Sequence, residues 1–518
     1  MGLLKVSVIV PVYNPGDHVD DCIRTLVHEQ SLPRDEYEVI FVDDGSTDET
    51  PARLDALAAE HDHVRVEHIP NSGWPGRPRN VGLDMARGEF VYFVDNDDWI
   101  TPEALERMHA MAVRDDADIV IGKVVGYGPG KLVPKNLFRD GNRSGIRLGE
   151  WAPILWLLSP HKLFRRTLIE EQGIRFPEGR RRLEDHLFVM HAYFHARSIS
   201  VLADYPCYHW MLRDGDVNAS VRPFDPAGYY ANVREVLDLI DEHTEPGPLR
   251  DRIYVRWLRG KVLGRAGGPP FLKWDEEYRR ERYDEIRRIL LERFGESVDA
   301  LLPLSWRVRA SLVRDDDYEG LTALAAYEAG LGTVARVRSV TREGDDLVLR
   351  VDARFARDAV RFVRRDGGLG WAGADGVAFE EDRDASADVD GGDLYVFVRS
   401  PVDHIEFAVP VDFTVELEEI EGGALRPVLR GTARFSARTG AAGAPLAAGE
   451  WDAFATLTVA GFRATGRLRR RARGEPLRLR VGRDGSVAER HAKLRARLAT
   501  RWPRAARLAR RAQRRAGR

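Results

Sequence analysis

A chain of 518 residues, 43 % of them hydrophobic, is too long for one core, so two to four domains with ample apolar surface to bury are expected. Two cysteines, Cys22 and Cys207, exclude a disulfide framework and a thiolate zinc site, and no stretch reaches the roughly 18 consecutive apolar residues of a membrane span, so a cytoplasmic protein is expected. The net charge of −3 hides an asymmetry: residues 490–518 hold 12 Lys or Arg and no acid, which leaves −15 on the rest, an acidic body with a basic tail.

The opening MGLLKVSVIVPVYN carries one Lys and a short apolar run without a cleavage site. From there to residue 120 short β-branched runs alternate with helical patterns, the mark of an α/β sheet. VSVIVPVY (6–13), YEVIFVDDGS (37–46), VRVEHI (64–69) and GEFVYFVDND (88–97) predict strands. Helices are expected over 18–29 after Asp17, over 51–60 after Thr50-Pro51 and over 103–113 after Thr101-Pro102. Runs apolar on both faces suit central parallel strands, whose carboxyl ends carry ligand sites in open α/β sheets.

Residues 121–223 are mixed, with a basic stretch, KLFRRTLIEEQGIRF (162–176), and a helical pattern from Glu184 to Ala196. On that helix His191 and His195 stand at i and i+4, a zinc-like spacing, but with no third ligand in view they read as surface histidines. Residues 224–332 predict a helical linker domain with Trp257 and Trp306 as packing anchors. From 333 to 488 alternating runs such as VARVRSV (334–340), DLVLRVDARF (346–355), DLYVFVRS (393–400), HIEFAVPVDFTVELEEI (404–420) and WDAFATLTVAGF (451–462) predict an all-β sandwich. The tail, 489–518, places Leu494, Leu498, Trp502 and Leu508 at roughly helical spacing among arginines, with Pro503 restarting the helix. Such a basic amphipathic segment suits an anionic membrane surface. Nucleic-acid binding and a solvated tail are the alternatives, with nucleic acid not the expected partner.

One stretch raises a chemical question. FVYFVDNDDWI (90–100) runs five apolar residues straight into Asp95, Asp97 and Asp98, with only Asn96 between them. Carboxylates that close call for something positive. Three further polar clusters lie at predicted strand ends: Pro11-Val12-Tyr13-Asn14, Asp43-Asp44-Gly45-Ser46, and Asn71-Ser72-Gly73 leading to Arg79-Asn80. Each alone reads as a solvated turn or a cap. Together, in this order and spacing, they resemble the nucleotide-sugar domain of family 2 glycosyltransferases, tightly over 5–120 and loosely to about 330.

The resemblance implies a GT-A α/β domain with a mostly parallel sheet, its nucleotide-sugar-binding half at 1–120 and its acceptor-side half, with the catalytic base, at 121–223. It implies a Mn²⁺ or Mg²⁺ ion among the carboxylates, to neutralise the departing diphosphate, with Asp97 as the ligand. Asp95 would accept from the ribose hydroxyls, and Asp98 would steady the turn or an outer shell. Asp44 would accept from a uracil N–H, Tyr13 would stack on the base with Pro11 framing the pocket, and Asn71 would complete the nucleotide contacts. Arg79 would bring its fork to the diphosphate or the base.

A second acid is needed, because the acceptor hydroxyl must lose its proton as it attacks. RRRLEDH (180–186) supplies Glu184-Asp185 at a predicted helix start, and Asp185 is the general base that the resemblance implies. The bland alternative is a pair of acids favoured by the helix dipole. Arg180, Arg181 and Arg182 either meet an anionic acceptor or form a solvated turn. In CYHWMLRDGDVNAS (207–220) His209 is either a second metal ligand or a buried core histidine, and Arg213 a phosphate contact.

The domain order is similar to that of the enzymes that add N-acetylglucosamine to poly(ribitol phosphate) of wall teichoic acid, where C-terminal domains mediate trimer formation. That implies an inverting transferase using a nucleotide-diphosphate sugar, a UDP-sugar, as donor, on a cell-envelope glycopolymer or lipid-linked acceptor at the inner face of the membrane, with the sandwich serving oligomerisation or glycan binding. A transferase for capsular or lipid-linked oligosaccharide, or an inactive nucleotide- or glycan-binding scaffold, are the alternatives. IYVRW (253–257) has Ile253 where processive synthases of the family carry Gln, so polymer extrusion is not implied.

Overall fold

The structure, a computed structural model, describes residues 4–126, 135–211, 224–377, 379, 384–402, 404–442, 444–470 and 474–489. The N-terminal runs become strands because they are apolar on both faces: β1 (Val6–Val12) and β2 (Tyr37–Asp43) are buried at every position. With β3 (Val64–His68) and β4 (Phe90–Phe93) they pair in parallel, Val12 opposite Asp43 and Ile9 opposite Phe93. Their carboxyl ends therefore open on one edge of the sheet, with Tyr13, Asp44 and Asp95 just beyond.

Past β4 the sheet is mixed rather than mostly parallel. Strands β5 (Trp99–Ile100), β6 (Ile119–Gly126), β7 (Arg143–Ile146), β8 (Leu163–Arg165) and β9 (Ile199–Trp210) complete a nine-stranded sheet in the order β3-β2-β1-β4-β8-β6-β9-β5, with β7 also on β9. β8 runs antiparallel to both β4 and β6, whereas β6 and β9 are parallel. The short β5 folds back onto the end of β9, which carries the chain after Asp98 under the acidic cluster.

Helices α1 (Thr50–Glu60), α2 (Gly76–Met85), α3 (Ala104–Arg114) and α4 (Glu184–His195) follow the strands. The helix expected over 18–29 is irregular: a 3₁₀ turn, Gly16–Val19, an α turn, Asp20–Ile23, and a π turn, Arg24–His28, succeed one another. Composition hides α2, which contains Gly76, Pro78 and Gly82. Pro78 costs little in a first turn, where its missing N–H has no intrahelical partner. Gly82 lies against β1, where a Cβ would stand 2.3 Å from Ile9 Cγ2, so only glycine lets the helix sit this low on the sheet.

The chain continues into α5 (Pro226–His243), α6 (Pro248–Trp257), α7 (Glu276–Arg293), α8 (Leu304–Arg314) and α9 (Tyr318–Ala329). Asp225 caps α5 and Asp275 caps α7 by accepting from Gly228 N–H at 2.8 Å and Tyr278 N–H at 2.9 Å. Trp257 is fully buried; Trp306 is half-buried, with Arg309 4.5 Å and Arg259 5.0 Å over its ring. Beyond α9 a seven-stranded and a six-stranded sheet form the C-terminal sandwich. The run 404–420 is two strands, not one. Pro410 has no N–H to give a ladder, so Glu406–Val409 pairs with Asp393–Arg399 in one sheet and Val411–Glu419 with Leu425–Phe435 in the other.

Candidate active site

The edge formed by the ends of β1 and β2 is built by backbone turns that their own side chains fasten. Asp43 Oδ1 accepts from Ser46 N–H at 3.0 Å, and its Oδ2 lies 2.8 Å from His68 Nδ1, so this buried acid shapes the turn. Asp44, 4 % exposed, accepts from Ser72 N–H at 2.8 Å through Oδ1, while Asn71 Nδ2 donates to the Asp44 carbonyl at 2.7 Å. Gly45 makes this approach possible: its φ is +72°, and a Cβ there would stand 2.7 Å from Asn71 N. Asn14, at φ +43°, braces the neighbouring loop by accepting from Thr47 N–H at 2.8 Å and donating its own N–H to Ser46 Oγ at 3.0 Å. Pro11 is buried in β1 opposite Val42, and Tyr13 is left 50 % exposed beside it.

The positive group among the acids is Arg79. Carried on the first turns of α2 and 3 % exposed, its Nη2 donates to Asp95 Oδ1 at 2.8 Å and its Nη1 to Asp185 Oδ1 at 2.7 Å, with Glu184 Oε1 3.9 Å away. One planar fork thus joins the end of β4 to the start of α4. The guanidinium sits 5.1 Å over the Phe176 ring, and the adjacent Asn80 ties α2 to the same chain by bonding both Phe176 N–H, at 2.9 Å, and its carbonyl, at 2.8 Å. Burial opposes the charge on Arg79, but the fields of Asp185, Asp95 and Glu184 outweigh it and hold the guanidinium firmly protonated. Burial, joined by Glu184 and Asp95, pushes the Asp185 carboxyl up to about 7 against the opposing pull of Arg79 and Lys162.

Asp98 lies under this pair, 1 % exposed, and accepts from Tyr208 Oη at 2.5 Å and from Met211 N–H at 2.7 Å. It ties the turn after β4 to β9, and burial, then Asp97 and Asp95, raise its pKa well above the carboxylate range. His161, which nothing in the sequence pattern singled out, stacks on Tyr208 with ring centroids 4.0 Å apart and places Nε2 3.6 Å from Asp95 Oδ2. Burial lowers its pKa to about 4, so the imidazole is neutral near pH 7 and able to act as a ligand. One ligand atom each from Asp95, Asp98 and His161 lie within 4.8 Å of one another, with Asp97 half-buried on the same turn. Hard carboxylate oxygens with a single imidazole fit Mg²⁺ or Mn²⁺. His209, by contrast, is 1 % exposed and lies flat on Trp99 with centroids 3.5 Å apart, outside that cluster. Arg213 lies outside the described residues.

Beyond the acidic cluster, residues 162–261 carry further basic side chains, two of them within the electrostatic reach of Asp185. Lys162 is fully buried, with its pKa lowered to about 7 by burial and pulled back up by Asp185. Lys261, just after α6, is pushed well below the usual lysine range by burial and by Arg256 and Arg265, with Asp185 acting in the opposite sense. Of the three consecutive arginines, Arg181 Nη2 pairs with Glu235 of α5 at 2.5 Å and Arg182 N–H donates to Asn232 Oδ1 at 3.0 Å, so both hold the linker helix in place; Arg180 is exposed. Lys162 opens the basic stretch 162–176 and the arginines open RRRLEDH, whereas Lys261 comes from the helical linker, where no motif marked it.

Residues 7–203 match the family described as Glycosyl transferase family 2, and residues 226–325 match the Glycosyl transferase TarS linker domain. A poly(ribitol-phosphate) beta-glucosyltransferase of Bacillus spizizenii is 33 % identical over 322 residues, 62 % of this chain and 50 % of that protein. The poly(ribitol-phosphate) beta-N-acetylglucosaminyltransferase TarP of Staphylococcus aureus is 30 % identical over 239 residues, 46 % of this chain and 72 % of that protein. Among solved structures, that of S. aureus TarS 1–349 in complex with UDP-GlcNAc superposes with a TM-score of 0.56 at 28 % identity, covering 72 % of this chain and 100 % of that one. The chain spans about half the length of the Bacillus relative.

Proposed function

The chain belongs to glycosyl transferase family 2, and from that premise we propose that it transfers a sugar, with inversion, from a UDP-sugar to a hydroxyl of a phosphate-rich cell-envelope glycopolymer such as poly(ribitol phosphate). The observation that carries the reading is the single guanidinium of Arg79 linking Asp95 to Asp185 at the carboxyl edge of the sheet. A donor-side acid and a base-side acid are thereby held a fixed distance apart, which is what an in-line displacement at an anomeric carbon requires.

In this reading the exposed Tyr13 ring stacks on the uracil, Pro11 frames its pocket, and Asp44 and Asn71, held by the 71–72 loop, line the edge of the base. Asp95 accepts from the ribose. Asp97, with the nearby carboxylates and His161, would hold a divalent ion, Mn²⁺ or Mg²⁺. When bound, such an ion would supply positive charge to offset that developing on the leaving diphosphate. Asp185 keeps one oxygen on Arg79 and takes the acceptor proton on the other, and a carboxyl near 7 suits a base working at neutral pH. Glu184 supplies a second negative charge that keeps Asp185 basic. Arg256, Arg265 and the exposed Arg180 place positive charge on the acceptor side, which favours a polyanion over a neutral glycan.

The test is a panel of nucleotide sugars against poly(ribitol phosphate) and an uncharged glycan, with Mn²⁺, with Mg²⁺ and with EDTA. The reading expects product from a UDP-sugar on the phosphate polymer, lost in EDTA. Equal transfer to the uncharged glycan would remove the polyanion acceptor, and full activity in EDTA would remove the metal.

A further inference from the structure

The sequence offers two histidines at zinc-like spacing on α4 and no third. The tertiary structure brings the third. His243, the last residue of α5, lies against His191 and His195, and the three rings form a nearly equilateral triangle with centroids 5.2, 5.5 and 5.2 Å apart. One ring nitrogen from each lies within 4.8 Å of the others. All three side chains are partly exposed, so a hydrated ion can reach them.

A second observation concerns how one of the rings is held. His243 Nδ1 lies 3.0 Å from the Leu239 carbonyl, which can only accept, so Nδ1 carries the proton and Nε2 carries the lone pair. A ligand imidazole is commonly oriented in this way, with its other N–H on a backbone carbonyl. Phe194 stacks on the same ring at 4.8 Å and fixes its plane. Tetrahedral zinc with bonds of about 2.0–2.1 Å needs ligand nitrogens roughly 3.4 Å apart, a closing that side-chain rotation on two rigid helices can supply.

We propose that His191, His195 and His243 form a binding site for a borderline-soft divalent ion, Zn²⁺ before Mg²⁺ or Mn²⁺, that clamps α4 to α5. Three imidazoles without a carboxylate among them select zinc, cobalt, nickel or copper over the hard ions that suit the acidic cluster. The site is structural. At about 1.5 Å per residue along α4, His195 lies some 15 Å from Asp185, out of reach of the reacting atoms. The ion would pin the far end of the helix whose first turn carries Glu184 and Asp185, and so resist rotation of that turn.

The experiment uses the untagged full chain with excess Mg²⁺ to occupy the carboxylates, Zn²⁺ as titrant and Co²⁺ as the spectroscopic probe. The expected result is one equivalent of Zn²⁺, a visible Co²⁺ spectrum of tetrahedral intensity, and a higher melting temperature with Zn²⁺. In His243→Gln and in His195→Gln the affinity should fall by about 10²-fold or more and the melting shift should vanish, whereas Asp97→Asn should keep both. Either histidine variant alone decides the matter if the other does not fold. Zn²⁺ binding unchanged in a folded histidine variant, binding lost in Asp97→Asn instead, or no binding by the unaltered chain would each overturn the proposal.

Discussion

As the proposed base, Asp185 would meet two opposite demands, basic enough to take a proton yet ionised at neutral pH, and its surroundings set the balance. Burial raises its pKa toward 7 and Arg79 pulls it back. We predict that kcat/KM falls about tenfold per pH unit below a limb near 7, because the protonated carboxyl accepts nothing. Replacing Arg79 by Met should move that limb to higher pH, since the lost charge was lowering the pKa; a limb that stays put would separate Arg79 from the base. Asp185→Asn should cut kcat by a factor on the order of 10² to 10⁴ while donor affinity, read by calorimetry, stays near that of the unaltered chain. The same raised pKa has a cost in stability. The folded state binds the proton more tightly than the unfolded chain, so this group's contribution declines as pH rises from about 4 through 7. Asp98 is different in kind, because it spends its oxygens on Tyr208 and Met211. Asp98→Asn keeps an acceptor and should fold, whereas Asp98→Ala strands two buried donors and should cost about 2–4 kcal/mol in denaturant unfolding.

At the scale of elements, the site is a set of strand ends held in register from the opposite end of the sheet. There Glu38, 1 % exposed, accepts from Ser7 Oγ at 2.7 Å, from Arg87 N–H at 2.9 Å and from Arg87 Nη2 at 2.7 Å, joining β1, β2 and the approach to β4. Glu38→Ala leaves the buried Ser7 and a backbone N–H without their acceptor and should cost about 2–4 kcal/mol, measured by urea unfolding, with no change in the pH limb of activity. The turn chemistry was legible in the chain: DDGS after a strand and NSG before a helix mark bends, and Gly45 and Asn14 occupy left-handed positions. The helix at Gly76–Met85 was not, because its glycine serves packing on Ile9, a tertiary reason that local propensity cannot express.

For the whole molecule, the sandwich is anchored by specific contacts: to the N-terminal domain, where Lys123 Nζ lies 3.7 Å over the Phe407 ring and Arg139 pairs with Asp393 at 2.7 Å, and to α8 of the linker, where Arg307 pairs with Asp388 at 2.9 Å. We propose that the sandwich serves assembly or glycan binding and that the tail, whose residues 490–518 lie outside the described ones, meets an anionic leaflet. Truncation after residue 488 should keep transfer to small soluble acceptors and abolish salt-sensitive sedimentation with anionic vesicles. Equal sedimentation of both forms would end the membrane reading. What the sequence by itself determined is the class of fold, the order of the four polar clusters at strand ends, and the family, because strand periodicity and turn residues are local and survive being read one window at a time. The partnerships were decided only by tertiary structure. Arg79 between Asp95 and Asp185, His161 stacked on Tyr208 and facing Asp95, Lys261 near Asp185 and His243 closing the histidine triangle each join residues far apart along the chain. A side chain's charge state and partner depend on what burial and packing bring within a few ångströms of it, and no local pattern contains that distance.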